Sequence, residues 1–256
     1  AIFIMWDYDV SEERAVEISA ILKARKAIQE PISPSFFQTN KLQTIVALSP
    51  EGRLVTDLDV RLKNTTDLKM HFSKSLNSGL HGICFSPYLE GQELGDTISK
   101  RQINQRMDVI APHTKWVRSF SCSDGNEYIP VSANKRGLKT MTGAWIGKDK
   151  VKNDKEINAL IKLAQDGQVN IAVVGNEALM REDLSESELL AYIHRVKKAL
   201  PDIPVGYVDA YFQFHERPKL VEACDVILAN CYPFWEGCPI DQATVYLNQM
   251  YAITQL

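Results

Sequence analysis

From residue 80 onward, short apolar runs alternate with longer stretches in which apolar residues recur at helical spacing. The short runs are GICFSPY (82–88), KWVRSFS (115–121), LKTMTGAW (138–145), VNIAVVG (169–175), IPVGYVDA (203–210) and DVILANCYPF (225–234). Each is almost continuously apolar, the pattern of parallel strands covered on both faces. The intervening stretches carry helix-start signals. Ser99 with Gln102, Asn153 with Glu156, and Ser185 with Glu188 all have capping-box spacing. After Ser185, the residues Leu189, Leu190, Ile193, Val196 and Leu200 keep helical period until Pro201 stops the run. Ile157, Leu160, Ile161 and Ala164 do the same ahead of Gly167. The last stretch, IDQATVYLNQMYAITQL, also reads as helix.

Six strand-then-helix units therefore follow one another, each of roughly 20–35 residues, a length suited to βαβ repeats. This predicts an α/β fold, either an open doubly wound sheet or six units of a (β/α)8 TIM barrel. The Gly-rich fingerprint that would favour a dinucleotide-binding sheet is missing. Residues 1–78 read differently, as a small α+β segment. AIFIMWDYD suggests a strand, Ser11 a helix cap, and TIVALSPEGRLVTDLDV a hairpin turning at Pro50 and Gly52. The expected organisation is an accessory segment over 1–78, with its boundary near Asn77 or Gly79, and an incomplete barrel over 79–256. A permuted arrangement, in which AIFIMW and its helix supply a barrel unit, is the alternative topology.

Composition narrows the function. The 256 residues are 45% hydrophobic and 24% charged, with 29 basic against 32 acidic residues and a net charge of −3. That balance, without long blocks of one sign, argues against a nucleic-acid or anionic-membrane surface. No apolar stretch approaches the ~20 residues of a bilayer span, and the opening AIFIMW, short and followed by acidic residues, does not read as a signal peptide. Cys84, Cys122, Cys224, Cys231 and Cys238 are odd in number and lack a C-x-x-C pair, which points to buried thiols. His71, His81, His113, His194 and His215 are dispersed without ligand spacing, so neither a metal nor another cofactor is expected. Asp7 and Asp9 after an apolar strand resemble the opening motif of haloacid-dehalogenase-type phosphatases. Val10-Ser11 replaces the usual Gly-Thr, and a helix cap at Ser11 explains the stretch more simply.

Parallel α/β folds carry their chemistry at the carboxyl ends of the strands. Those ends hold Ser86 and Tyr88, then Ser119, Ser121 and Asp124, then Trp145, then Asn176 and Glu177, then Asp209 and Tyr211, then Asn230, Tyr232, Trp235 and Glu236. The rim is rich in aromatic and hydrogen-bonding groups and poor in basic ones, which suits an uncharged polyhydroxylated ligand such as a sugar chain. Glu177 stands out because a carboxylate at an apolar strand mouth is costly unless paired, hydrogen-bonded or protonated. Arg118, in mid-strand, reads as a buried ion-pair partner rather than a substrate ligand.

The segments HGICFSPY, VRSFSCSDG, KTMTGAWIG, VVGNEALMR and ANCYPFWEG, in this order and spacing, resemble family 17 glycoside hydrolases of the bacterial type. These are β-1,3-glucanases and β-1,3-glucan transglycosylases. The resemblance covers about residues 80–256, with VGNE as its most specific part. It implies a (β/α)8 barrel and a retaining mechanism with two glutamates. Glu177 corresponds to the general acid/base and Asn176 to the neighbour that orients substrate. Tyr232 matches the family's strand-6 tyrosine near the reacting centre, and Tyr88, Asp124, Trp145, Asp209 and Trp235 fall where the family lines its cleft. Tyr211, at the end of the fifth strand, is a further substrate-binding candidate. Family members are commonly extracellular or periplasmic.

A retaining enzyme also needs a second carboxylate about 5–5.5 Å from the first. The family's nucleophile lies on strand 7 in an E-[ST]-G-W-P motif, which does not occur before Leu256. The expectation is thus a nucleophile beyond Leu256. A glucan-binding module or inactive remnant of the same fold is the alternative, with β-glucan as the partner in either case. Asp209 and Glu236 are the carboxylates within the chain that could substitute, although hydrogen bonding within loops or to substrate is the simpler role for both.

Overall fold

The structure is a computed structural model that describes residues 64–239 and 242–254. The strand, helix and hairpin expected before residue 64, with Asp7 and Asp9, lie outside the described residues. The chain divides into two compact units, one holding 69–230 and the other holding 64–68 and 231–254 of the described residues. Helix α1 (Thr65–Ser78) comes first, and its opening turn is capped by Asn64, whose Oδ1 accepts from the Asp67 amide at 2.9 Å.

Six strands follow: β1 (Leu80–Cys84), β2 (Thr114–Ser119), β3 (Lys139–Ala144), β4 (Ile171–Asn176), β5 (Val205–Ala210) and β6 (Val226–Asn230). All neighbours are parallel, and the sheet order is β1-β2-β3-β4-β5-β6. That uninterrupted order decides between the two expected architectures. A doubly wound sheet must reverse its order at a switch point. Here every crossover steps the same way, and right-handed crossovers then place all helices on one face. The opposite face curls inward, and the unit is six-eighths of a (β/α)8 barrel.

The connecting helices are α2 (Lys100–Ile110), α3 (Tyr128–Asn134), α4 (Lys150–Gln165), α5 (Glu186–Ala199), α6 (Tyr211–His215) and α7 (Pro218–Ala223). A short 3-10 turn (Ala111–His113) leads into β2. Ile157 and Leu160 of α4, with Leu189, Ile193 and Val196 of α5, pack on Ala144, Ala172, Val174 and Tyr207. On the inner face, Met141, Val173, Val208 and Leu228 form their own cluster. The alternation of strand residues between these two clusters explains the near-continuous apolar runs, because neither face is wet.

Two helix starts match their sequence signals. Ser99 Oγ accepts from the Gln102 amide at 3.2 Å. Ser185 and Glu188 form a complete capping box at the start of α5. The third signal is corrected. Helix α4 begins one turn earlier than expected, with Asp149 as its cap accepting from the Val151 and Lys152 amides. Asn153 and Glu156 are both buried within that helix. Asn153 closes onto the preceding loop, accepting from the Gly147 amide at 2.8 Å and donating to the Gly147 carbonyl at 2.6 Å. Their capping-box spacing is incidental to the loops they bind.

In the second unit, helix α8 (Ala243–Thr254) falls where the last stretch reads as helix. Among the described residues, no helix is long and apolar enough to cross a membrane.

Candidate active site

The carboxyl end of β4 is built around a one-residue insertion. Val173 pairs with Gly206, yet Asn176 pairs with Val208, so three residues of β4 advance while β5 advances two. Strict alternation from the inward-facing Val173 would have turned Asn176 toward the helices. The bulge returns it to the inner face beside Val208. Gly175 makes this possible at φ 90, where a Cβ would stand 3.0 Å from Ile146 Cγ1 and 3.3 Å from Tyr207 Cε2. Glycine is required there on both counts. Gly175→Ala is expected to lower stability by about 1–3 kcal/mol, from the strained backbone with added crowding. A shift of the urea midpoint at unchanged slope would measure it.

Asn176 is 3% exposed, and its Oδ1 accepts from Arg118 Nη2 at 2.7 Å. Arg118 is 1% exposed and faces inward from β2, with its guanidinium 4.5 Å from the Phe120 ring centre. The expected buried partner of Arg118 thus includes a neutral amide, which it orients. Because Asn176 Oδ1 is the acceptor, its Nδ2 is directed elsewhere. That nitrogen is buried and meets no hydrogen-bond partner, a condition that costs about 1–3 kcal/mol for an amide donor.

Glu177 follows at φ 53, half-buried, with its amide donating to the Val208 carbonyl at 2.7 Å. Its side chain crosses to β6, where Asn230 Nδ2 donates to Oε1 at 2.6 Å. Asn230 is 4% exposed. Beneath the turn after Glu177, Tyr207 and Asp209 form a buried pair. The Tyr207 hydroxyl donates to Asp209 Oδ2 and accepts from the Leu179 amide at 3.0 Å. Asp209 Oδ1 accepts from the Ala210 amide at 2.8 Å, and the Met180 amide also donates to this carboxyl. Burial pushes Asp209 up to about 7; the Tyr207 hydrogen bond opposes this and the Glu177 charge adds to it.

The remaining expected residues spread along the rim and below it. Tyr88 is half-buried, and its hydroxyl accepts from Asn126 Nδ2 at 3.3 Å. Asp124, at φ 55, accepts from Ser123 Oγ at 3.1 Å. Trp145 is half-buried, with its amide bound to Glu156 Oε2 at 3.1 Å. Asp209 and Tyr211, expected on the cleft, are enclosed at 0% and 4% exposure. Asp209 shares its face of β5 with Tyr207, which packs against the helices, so strand alternation turns it away from the inner face. Tyr211 opens α6 with its ring against Phe212.

Tyr232 and Trp235 belong to the second unit. Trp235 is half-buried and edge-on to the exposed ring of Phe234, and Glu236 accepts from the Tyr246 hydroxyl. All five cysteines are free, and burial pushes Cys231 up to about 12 and Cys224 up to about 11. Among the described residues, no group of three or more His, Cys, Asp or Glu could hold a metal ion.

Two contributors carry no signal of these roles in the sequence pattern. Glu156 of α4, at 0% exposure, accepts from the Cys122 amide at 2.7 Å, the Ser121 and Ser123 hydroxyls at 2.7 and 2.5 Å, and the Trp145 amide. Arg181 reaches back over the end of β4 to the Asn176 carbonyl oxygen.

Known proteins share this arrangement of strands and segments. Residues 82–256 match the BtgE/BtgC glycoside hydrolase domain. A probable glucan endo-1,3-beta-glucosidase (btgC) of Aspergillus fumigatus is 29% identical over 211 residues, covering 74% of this chain and 30% of that protein. The glucan 1,3-beta-glucosidase BGL2 of Candida albicans is 28% identical over 148 residues, covering 51% of this chain and 48% of that protein. This chain therefore spans less than half the length of either relative. Among solved structures, a glycoside hydrolase family 17 beta-1,3-glucanosyltransferase from Rhizomucor miehei superposes with a TM-score of 0.60 at 27% identity, covering 70% of this chain and 67% of that one. Its active-site mutant in complex with laminaritriose gives a TM-score of 0.61. The match over 82–256 and the superposition of the singly wound sheet agree: the chain belongs to the BtgE/BtgC glycoside hydrolases, within glycoside hydrolase family 17.

Proposed function

We propose that residues 79–256 form the acid/base portion of a retaining β-1,3-glucan hydrolase or transglycosylase, with residues 1–78 as an accessory segment. The observation that carries the site is the buried, unpartnered Nδ2 of Asn176, oriented by Arg118 one residue before Glu177. A sugar hydroxyl next to the scissile bond supplies the acceptor this nitrogen lacks, and such bonds strengthen in the transition state. The names of the relatives support β-1,3-glucan as the substrate class.

In this reading Glu177 gives its proton to the glycosidic oxygen while a second carboxylate attacks the anomeric carbon. The leaving sugar departs with that proton. Glu177, now ionised, then takes a proton from water or an acceptor sugar hydroxyl, whose oxygen displaces the enzyme carboxylate. Asn230 holds the Glu177 carboxyl in place throughout. Tyr88, Asp124 and Trp145 contribute contacts along the rim. Asp209 is not read as the second carboxylate, because its commitment to the Tyr207 hydroxyl and the Ala210 amide holds it fully enclosed on the helix side of β5. The nucleophile is assigned to a barrel strand following α8.

The commitment of Asp209 also favours a second reading, in which these residues bind glucan without cleaving it. Laminarin separates the two. A chain carrying the complete barrel should release oligosaccharides whose new reducing ends are first formed in the β configuration. Affinity for laminarin with no product over prolonged incubation would instead establish the binding module, and inverted product would overturn the retaining mechanism.

A further inference from the structure

The stretch VVGNEALMRED that carries Asn176 and Glu177 also carries Arg181 and Asp183, and neither takes part in the proton transfer described above. Their placement answers a structural need. Gly175 and Glu177 both stand at positive φ, and a non-glycine residue holds such a conformation only where surrounding contacts over-determine it. The β4–β5 ladder ends at the pairing of Asn176 with Val208, and the Glu177 amide on the Val208 carbonyl is the last backbone bond to β5, so the acid/base turn gains from further ties.

Arg181 supplies them from one planar group. Nη1 donates to the Asn176 carbonyl oxygen, and Nη2 donates to the Ile146 carbonyl oxygen at 3.1 Å. Nε pairs with Asp183 Oδ2 at 2.8 Å, which fixes the rotation of the fork. The guanidinium carbon lies 4.6 Å from the centre of a Trp145 ring, within cation–π range. The Arg181 side chain is only 20% exposed, so water competes weakly for these contacts. A lysine could not reproduce them, because an ammonium is a point charge without a fork.

We propose that Arg181 is a positioning residue that locks the Asn176–Glu177 turn to the Trp145 indole, so that the proton donor and an aromatic sugar platform keep one fixed geometry. This rests on the acid/base reading of Glu177. Two variants of the complete-barrel chain test it, Arg181→Lys and Arg181→Leu, each with a nitrogen-15 label. Per folded molecule, kcat on laminarioligosaccharides is expected to fall about 10- to 100-fold, the size of effect that misplacing a catalytic group produces. Lysine should rescue little of this loss. The Trp145 indole N–H resonance should shift, and amide exchange at 176–178 should quicken at least about tenfold. A merely structural role would lower Tm yet leave kcat per folded molecule intact, and that result overturns the proposal. If the unaltered chain shows no turnover, the acid/base reading fails. The indole resonance and amide exchange still decide the positioning role, and unchanged values in both variants overturn it.

Discussion

Replacing Glu177 with glutamine in a chain that carries the complete barrel is expected to cut laminarin turnover by about 10²- to 10⁴-fold, the usual contribution of a positioned proton donor. The geometry makes this substitution a clean one. Asn230 Nδ2 donates to Glu177 Oε1, and a glutamine oxygen can accept the same bond. The amide of residue 177 still donates to the Val208 carbonyl, so the backbone at φ 53 keeps its tie. Folding should therefore be preserved, and affinity for laminarin should stay within a few-fold. What disappears is the exchangeable proton. A substrate with an acidic phenol as leaving group needs little protonation to depart, so its first step should survive in the variant. Its second step should stall, because water then lacks a general base. Azide, which needs no deprotonation, should relieve that stall and yield a β-glycosyl azide. Unaltered laminarin turnover in Glu177→Gln, measured by reducing-end release, would remove Glu177 from the mechanism.

The parts of this site that were legible in the sequence are those whose physics is local. The apolar runs of β3, β4 and β5 became strands covered on both faces, and the Ser185–Glu188 box started a helix because capping involves only neighbouring residues. The choice between barrel and doubly wound sheet required the strand order, which no single run encodes. Helix α1 carries Leu68, Phe72 and Leu76 at four-residue spacing, yet none of its residues is buried. Asn176 and Glu177 stood out as polar residues at an apolar strand mouth. The inserted residue that turns Asn176 inward, by contrast, emerges only from its pairing with Val208. Asp209 was placed on the cleft because it ends a strand, but alternation along β5 sends it to the helix side with Tyr207. Glu156 was invisible for a related reason. Its spacing from Asn153 mimics a cap, whereas its partners lie on two loops 11 to 35 residues away in sequence.

That hidden role makes Glu156 the second position where a large effect is expected. Its carboxylate accepts from two backbone amides, Cys122 at 2.7 Å and Trp145 at 3.1 Å, and from the hydroxyls of Ser121 and Ser123. The hydroxyls can rotate toward other acceptors, and Ser123 already lies 3.1 Å from Asp124 Oδ2. The amides cannot rotate. Leucine at position 156 would fill much of the volume but leave both amides without an acceptor, at about 1–3 kcal/mol for each buried donor. Glu156→Leu is therefore expected to destabilise the barrel unit by on the order of 4 kcal/mol. Glu156→Gln should cost less, because one carbonyl oxygen remains while the amide nitrogen faces donors. Function should suffer beyond stability, since the same carboxylate fixes the backbone of Trp145 and the serine loop leading to Asp124. Under conditions where Glu156→Gln is fully folded, its affinity for laminarioligosaccharides should drop more than its secondary structure or Tm would suggest. Urea unfolding of both variants beside calorimetric titration checks the two halves separately. A loss below about 1 kcal/mol in Glu156→Leu, the size of an ordinary surface substitution, would mean that the loops find other acceptors.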